Sequence, residues 1–127
     1  MTSYPGSVNL TTMHEFSLAD EVIKLAQYEA EKSGALSVRE ITIEVGSISG
    51  VDADAFESAI ELLAEGSILE NSRLNIVRIS GKGICLACNR EFEMNKRMDT
   101  CPVCRSFPSE IRGGRQFRIV SLLIEDE

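Results

Sequence analysis

Leu18, Val22, Leu25 and Ala26 recur at intervals of three and four residues, and Ile23 widens their stripe. That period predicts an amphipathic helix over residues 17–33, opened by Ser17 with Asp20 as its capping-box partner and stopped at Gly34. Beyond Gly34 the period falls to two. Ile41, Ile43 and Val45 alternate with Thr42 and Glu44, which predicts a half-buried strand over 38–45. Gly46-Ser-Ile-Ser-Gly50 then turns the chain, and Asp52 or Asp54 caps a second helix with Phe56, Ala59, Ile60 and Leu63 inward, ending at Gly66. A second strand is expected over 72–79, with Leu74 and Ile76 on one face and Val77 and Ile79 on the other. Gly81-Lys-Gly83 and Gly113-Gly114 bracket a different kind of segment, after which an apolar strand over 117–124 and an acidic tail close the chain.

This order predicts an α+β fold in which two helices pack on a small three-stranded sheet. The last strand is too short to be stable alone and is expected to return to the sheet of the first two. Residues 13–80 and 115–127 would then form one α/β domain, with 81–114 inserted and pinned at both ends. Residues 1–12 are polar, contain Pro5 and Gly6, and lack both regular periods. They read as a disordered or non-native extension, without the basic start or apolar stretch of a signal peptide.

All four cysteines lie in the insert, as Cys85-Leu-Ala-Cys88 and Cys101-Pro-Val-Cys104 with twelve residues between the pairs. Each C-x-x-C turn points two thiolates at one ion, and two such turns complete a tetrahedron suited to Zn²⁺ at about 2.3 Å. A rubredoxin-like iron site would use the same ligands. No separate electron-transfer signature accompanies them, so a zinc-ribbon-like four-cysteine knuckle is expected, with Glu91-Phe-Glu-Met94 as a hairpin arm. A closed four-thiolate site leaves no position for water or substrate, and its role is therefore structural. Disulfides are disfavoured, because an acidic chain with no secretion signal belongs in a reducing compartment. A cytoplasmic protein is expected.

Apolar residues make up 43% and charged residues 26% of the chain, the composition of a soluble globular protein. The net charge of −7 weighs against nonspecific binding to nucleic acid or anionic membranes. It is unevenly spread: residues 1–80 hold five basic and thirteen acidic side chains, and residues 81–115 seven and four. No apolar run approaches the roughly 20 residues that span a bilayer. There is no G-x-S-x-G, no phosphate-cradling glycine loop and no second histidine for H-E-x-x-H, so no enzyme is expected.

One histidine remains, in Met13-His14-Glu15. In a chain that began at Met13, the α-amine, the backbone nitrogens of His14 and Glu15, and the imidazole could surround one ion in a plane. Such nitrogen-rich square-planar coordination selects Ni²⁺ or Cu²⁺. It also needs no preorganised pocket, which suits an ion that must later be released.

Met13-His-Glu-Phe-Ser17 at a helix start, Glu44-Val-Gly46 at a strand end, the two C-x-x-C pairs and the closing run GRQFRIVSLLIEDE (114–127) together resemble the HypA/HybF family. These are nickel metallochaperones of [NiFe]-hydrogenase maturation, and the resemblance covers residues 13–127. It implies Ni(II) as transferred cargo at Met13, His14 and Glu15, and a structural Zn(II) at Cys85, Cys88, Cys101 and Cys104. It also implies partnership with a HypB-type GTPase and with the hydrogenase large-subunit precursor. Asp52 matches a family position proposed to assist nickel; read from the residues alone, it is a helix cap. In the family the Met-His-Glu stretch is the true N-terminus, whereas here twelve residues precede it. Translation from Met13, removal of the extension, or a different ligand set around His14 would each account for this, and the first is the simplest. The competing class is a zinc-ribbon interaction module in nucleic-acid machinery, opposed by the acidic total and the absence of an aromatic stacking surface.

Overall fold

A computed structural model describes residues 11–125 of the protein, with side chains from His14 onward. The elements are α1 (Thr11–Lys32), β1 (Ser37–Gly46), α2 (Ala53–Ala64), β2 (Arg73–Ile79), β3 (Gly81–Cys85), β4 (Glu91–Met94), β5 (Pro108–Arg112) and β6 (Phe117–Glu125). They form an α+β fold with two sheets, ordered β2-β1-β6 and β4-β3-β5. No described helix is long and apolar enough to cross a membrane.

In the first sheet β1 lies between a parallel β2 and an antiparallel β6. Parallel neighbours need a crossover, and α2 supplies it. The alternation in β1 puts Ile41 beside Leu74 and Leu122, and Ile43 beside Ile76 and Ile119. That apolar face packs on both helices in one core, centred on Ile41, Ile43, Phe56 and Ile60, all fully buried. Phe117 meets Phe56 edge-on, with ring centroids 5.1 Å apart. The helix faces that enter this core are lined by alanines, Ala19, Ala26 and Ala30 in α1 and Ala59 and Ala64 in α2.

The structure corrects the sequence reading in three places. Helix α1 begins at Thr11, so Ser17 lies inside it and caps nothing; Asp20 instead pairs with Lys24 one turn on, at 3.0 Å. Leu25 is 51% exposed, because the inward line runs through Glu15, Ala19, Val22, Ala26 and Ala30, and Leu25 sits about 100° off it. Strand β5 was not anticipated. Its sequence, PSEIR, offers only Ile111 to a core, and it is held by backbone pairing to β3. The expected extension falls mostly on residues 1–10, outside the described residues.

The two sheets meet where three stretches of backbone cross. Gly46 N–H donates to Gln116 O at 2.6 Å, Ser47 N–H to Ile79 O at 2.7 Å and Ile48 N–H to Gly114 O at 2.8 Å. The Ser47 hydroxyl donates to Met94 O at 2.7 Å and accepts from Gly81 N at 3.2 Å, joining the loop after β1 to β3 and β4. A Cβ on Gly46 would sit 2.0 Å from Gly114 O, so only glycine lets the chains approach this closely. Ile48 leaves the first core altogether. It is 2% exposed and packs with Cys85, Phe92, Met94 and Cys101, completing the core of the second sheet.

Gly46→Ala therefore forces backbone against backbone and should destabilise the protein by about 3 kcal/mol or more. Ile48→Ala should cost about 2–4 kcal/mol by leaving a cavity in the smaller core. Urea unfolding followed by circular dichroism measures both, and a loss under about 1 kcal/mol for either would contradict the packing described.

Candidate metal centres

The first centre grows from two turns of the same design. Strand β3 ends at Cys85, and the chain reverses so that Cys88 N–H points at Cys85 Sγ, 3.4 Å away, while Asn89 N–H returns to Cys85 O at 3.0 Å. The second turn repeats this, with Cys104 N–H 3.5 Å from Cys101 Sγ and Arg105 N–H 2.7 Å from Cys101 O. Asn89 and Arg105 both take positive φ, 60° and 63°, to carry the chain out of each turn.

The four sulfurs lie within 4.8 Å of one another, and Cys88 Sγ and Cys101 Sγ are 3.9 Å apart. A tetrahedron with metal–sulfur bonds of about 2.3 Å has edges of about 3.8 Å, so the cluster is sized for one ion. Cys85 and Cys101 are buried and Cys88 and Cys104 exposed, so the inner pair anchors the turns to the core around Ile48 while the outer pair closes the site. None of the four is in a disulfide. Crowding them makes them compete for protons: the hydrogen bond from Cys104 holds Cys88 below the usual thiol range, and the Cys88 thiolate pushes Cys104 up to about 12.

The second region is the start of α1. Met13, His14 and Glu15 lie within this helix and not ahead of it, and His14 is half-buried. Among the described residues Glu15 is the one buried charged side chain, 1% exposed. Its Oε2 accepts from the backbone N–H of Asp52 at 2.9 Å, and its Oε1 has no partner. Asp52 is the N-cap of α2, its side chain accepting from Ala55 N at 3.1 Å. The side-chain donors of His14, Glu15 and Asp52 do not converge: among the described residues the four cysteines alone form a group of three or more candidate ligands within 4.8 Å. The sequence reading missed the inward turn of Glu15 and the displacement of Ile48. Neither had a local signal: Ala55, three residues after the cap, cannot return a hydrogen bond to Asp52, but water could accept from that amide as well as a side chain.

Residues 13–124 match the family described as hydrogenase/urease nickel incorporation, metallochaperone, hypA. The chain is 36% identical over 115 residues to the hydrogenase maturation factor HypA of Parabacteroides distasonis, covering 91% of this chain and the relative's whole length. It is 34% identical over 113 residues to the protein of the same name from Geobacter metallireducens, covering 89% of this chain and again the whole relative. Among solved structures it is similar to the Ni metallochaperone HypA from Helicobacter pylori, with a TM-score of 0.59 and 28% identity over 89% of this chain and 98% of that one.

Metal uptake by the cysteine cluster should release protons, since a thiol held near pKa 12 must lose its proton to become a ligand. Affinity should then fall as pH falls, by about tenfold per pH unit for each proton displaced. Calorimetric titration of metal-stripped protein in buffers of different ionisation enthalpy counts these protons. A heat independent of buffer would refute the expectation.

Proposed function

Because the chain belongs to the HypA family of nickel-incorporation metallochaperones, we propose that it carries Ni(II) at Met13, His14 and Glu15 and hands it to the [NiFe]-hydrogenase large-subunit precursor. One observation carries this reading. The family match begins at Met13, so the Met-His-Glu stretch stands where the matched part of the chain starts. The protein works by binding and transfer, not by catalysis, and does so in the cytoplasm. A HypB-type GTPase is its partner in the exchange.

The nickel chemistry follows from the backbone. Three consecutive nitrogens and an imidazole occupy the four corners of a square-planar ion. In a helix successive N–H groups all point along the axis and cannot surround one atom. The first turn of α1 must therefore open when nickel binds. Opening it costs little, because the leading amides of any helix have no acceptor within it. In a chain that begins at Met13, the amides of His14 and Glu15 are among them. While residue 13 is preceded by Thr12 its nitrogen is an amide, and the site has no terminal amine. The ligand set is completed when the chain begins at Met13.

Cys85, Cys88, Cys101 and Cys104 would hold Zn(II), which supplies a fixed cross-link between the two turns when bound. Residues 81–114 then act as a zinc-binding domain, and 13–80 with 115–127 as the nickel-binding domain. The small core around Ile48, Phe92 and Met94 is too slight to hold the second sheet without such a link.

Nickel titration with a metal count tests the proposal. His14→Ala should weaken Ni(II) binding by at least about tenfold and move the melting temperature by no more than about 2 °C. A chain beginning at Met13 should bind Ni(II) about tenfold or more tightly than one retaining residues 1–12. Equal uptake with and without the imidazole would sink the site. Cys85→Ala should abolish zinc retention and expose the amides of residues 81–114 to exchange; retained zinc with unchanged melting would count against the structural role.

A further inference from the structure

The Glu15 carboxylate is buried at 1% exposure, with no cation near enough to form an ion pair among the described residues. Such burial is unfavourable unless the group does something that water could not. Its single hydrogen bond shows what that is. In a capping box the N-cap side chain bonds the N3 amide, while the N3 side chain reaches back to the N-cap N–H. In α2 the first half is present, as Asp52 accepts from Ala55 N at 3.1 Å. The second half is impossible from position 55, where alanine has no acceptor. Glu15 supplies it from α1, 37 residues earlier, accepting from Asp52 N at 2.9 Å. Its negative charge also lies at the favourable, N-terminal end of the α2 dipole.

Resting on the nickel site proposed above, we infer that the Glu15 carboxylate is a positioning group and not a nickel ligand: it clasps the N-cap of α2 and fixes the point beyond which α1 cannot unwind. Glu15 meets nickel through its backbone nitrogen only. The amine, two amides and imidazole already fill a square plane, which leaves no corner for a carboxylate. Were the side chain to swing to the metal, the Asp52 amide would lose its acceptor. The clasp thus divides α1 into a leading turn that yields to nickel and a body that stays in the core through Ala19, Val22 and Ala26.

Chains beginning at Met13, as wild type, Glu15→Gln and Glu15→Ala, separate the roles, because glutamine keeps the acceptor and loses the charge needed of a strong ligand. Two readouts are taken: exchange of the Asp52 amide by NMR, and the absorption spectrum of the Ni(II)-saturated protein. Glu15→Gln should keep the wild-type nickel spectrum and Asp52 protection within about twofold, whereas Glu15→Ala should speed Asp52 exchange by about fivefold to tenfold and weaken nickel binding. An altered nickel spectrum in Glu15→Gln would make the carboxylate a ligand and overturn the inference, as would unchanged Asp52 exchange in Glu15→Ala. Should the alanine variant not fold, the glutamine spectrum still decides. A wild-type chain beginning at Met13 that takes up no nickel at residues 13–15 overturns the underlying site instead, and the Asp52 exchange then decides the clasp alone.

Discussion

The close crossing of Gly46, Gly81 and Gly114 is the contact on which the molecule depends. The Gly114 carbonyl oxygen lies 2.0 Å from the place where the Gly46 side chain would begin, and the Gly81 Cα lies 2.5 Å from the place a Gly114 side chain would take. Two sheets with separate cores are thereby held at a distance no side chain could bridge as rigidly. Ser47 uses both capacities of its hydroxyl to join them, donating to one sheet strand and accepting from another. The loop that makes this junction then sends Ile48 into the smaller core and, four residues later, places Asp52 at the head of α2. The cysteine cluster and the start of α1 are therefore linked through a single short loop.

The two regions are built on opposite physical terms. At the cysteines, two rigid turns present sulfur to one point, and half of that sulfur is buried in a core. An ion bound there would take all four of its ligands from the protein and contribute to folding. At the start of α1 the side-chain donors are apart, and the proposed donors are the His14 imidazole and backbone nitrogens that, in a chain beginning at Met13, lead the helix without an acceptor inside it. An ion bound there would be held by a segment that reverts to helix on its departure. Retention suits the first arrangement and transfer the second, in keeping with a family whose work is nickel incorporation.

A capping box divided between two helices explains why one charged residue is buried in a core otherwise built of aliphatic and small side chains. At the proposed nickel site, stability and cargo binding would meet at Glu15, whose side chain faces α2 while its backbone belongs to the Met-His-Glu stretch.

Much of this was legible in the sequence. The period of two in β1, the inner stripe of α2, a cap at Asp52 or Asp54 and the paired C-x-x-C turns all arise within windows of a few residues, where spacing alone dictates which side chains share a face or a metal. The return of β6 to β1 was legible as well, since an apolar strand needs a sheet. What only the tertiary structure decided lies in contacts between distant segments: the strand β5 that pairs by backbone with scarcely an apolar residue, the passage of Ile48 into the second core, and the clasp of Glu15 on Asp52. Nothing within reach of residue 15 marks it as inward except a stripe it joins as a carboxylate, and its partner is an amide, which every residue but proline carries. Backbone groups leave no signature in sequence, so the contacts they make become visible only when the chain has brought them together.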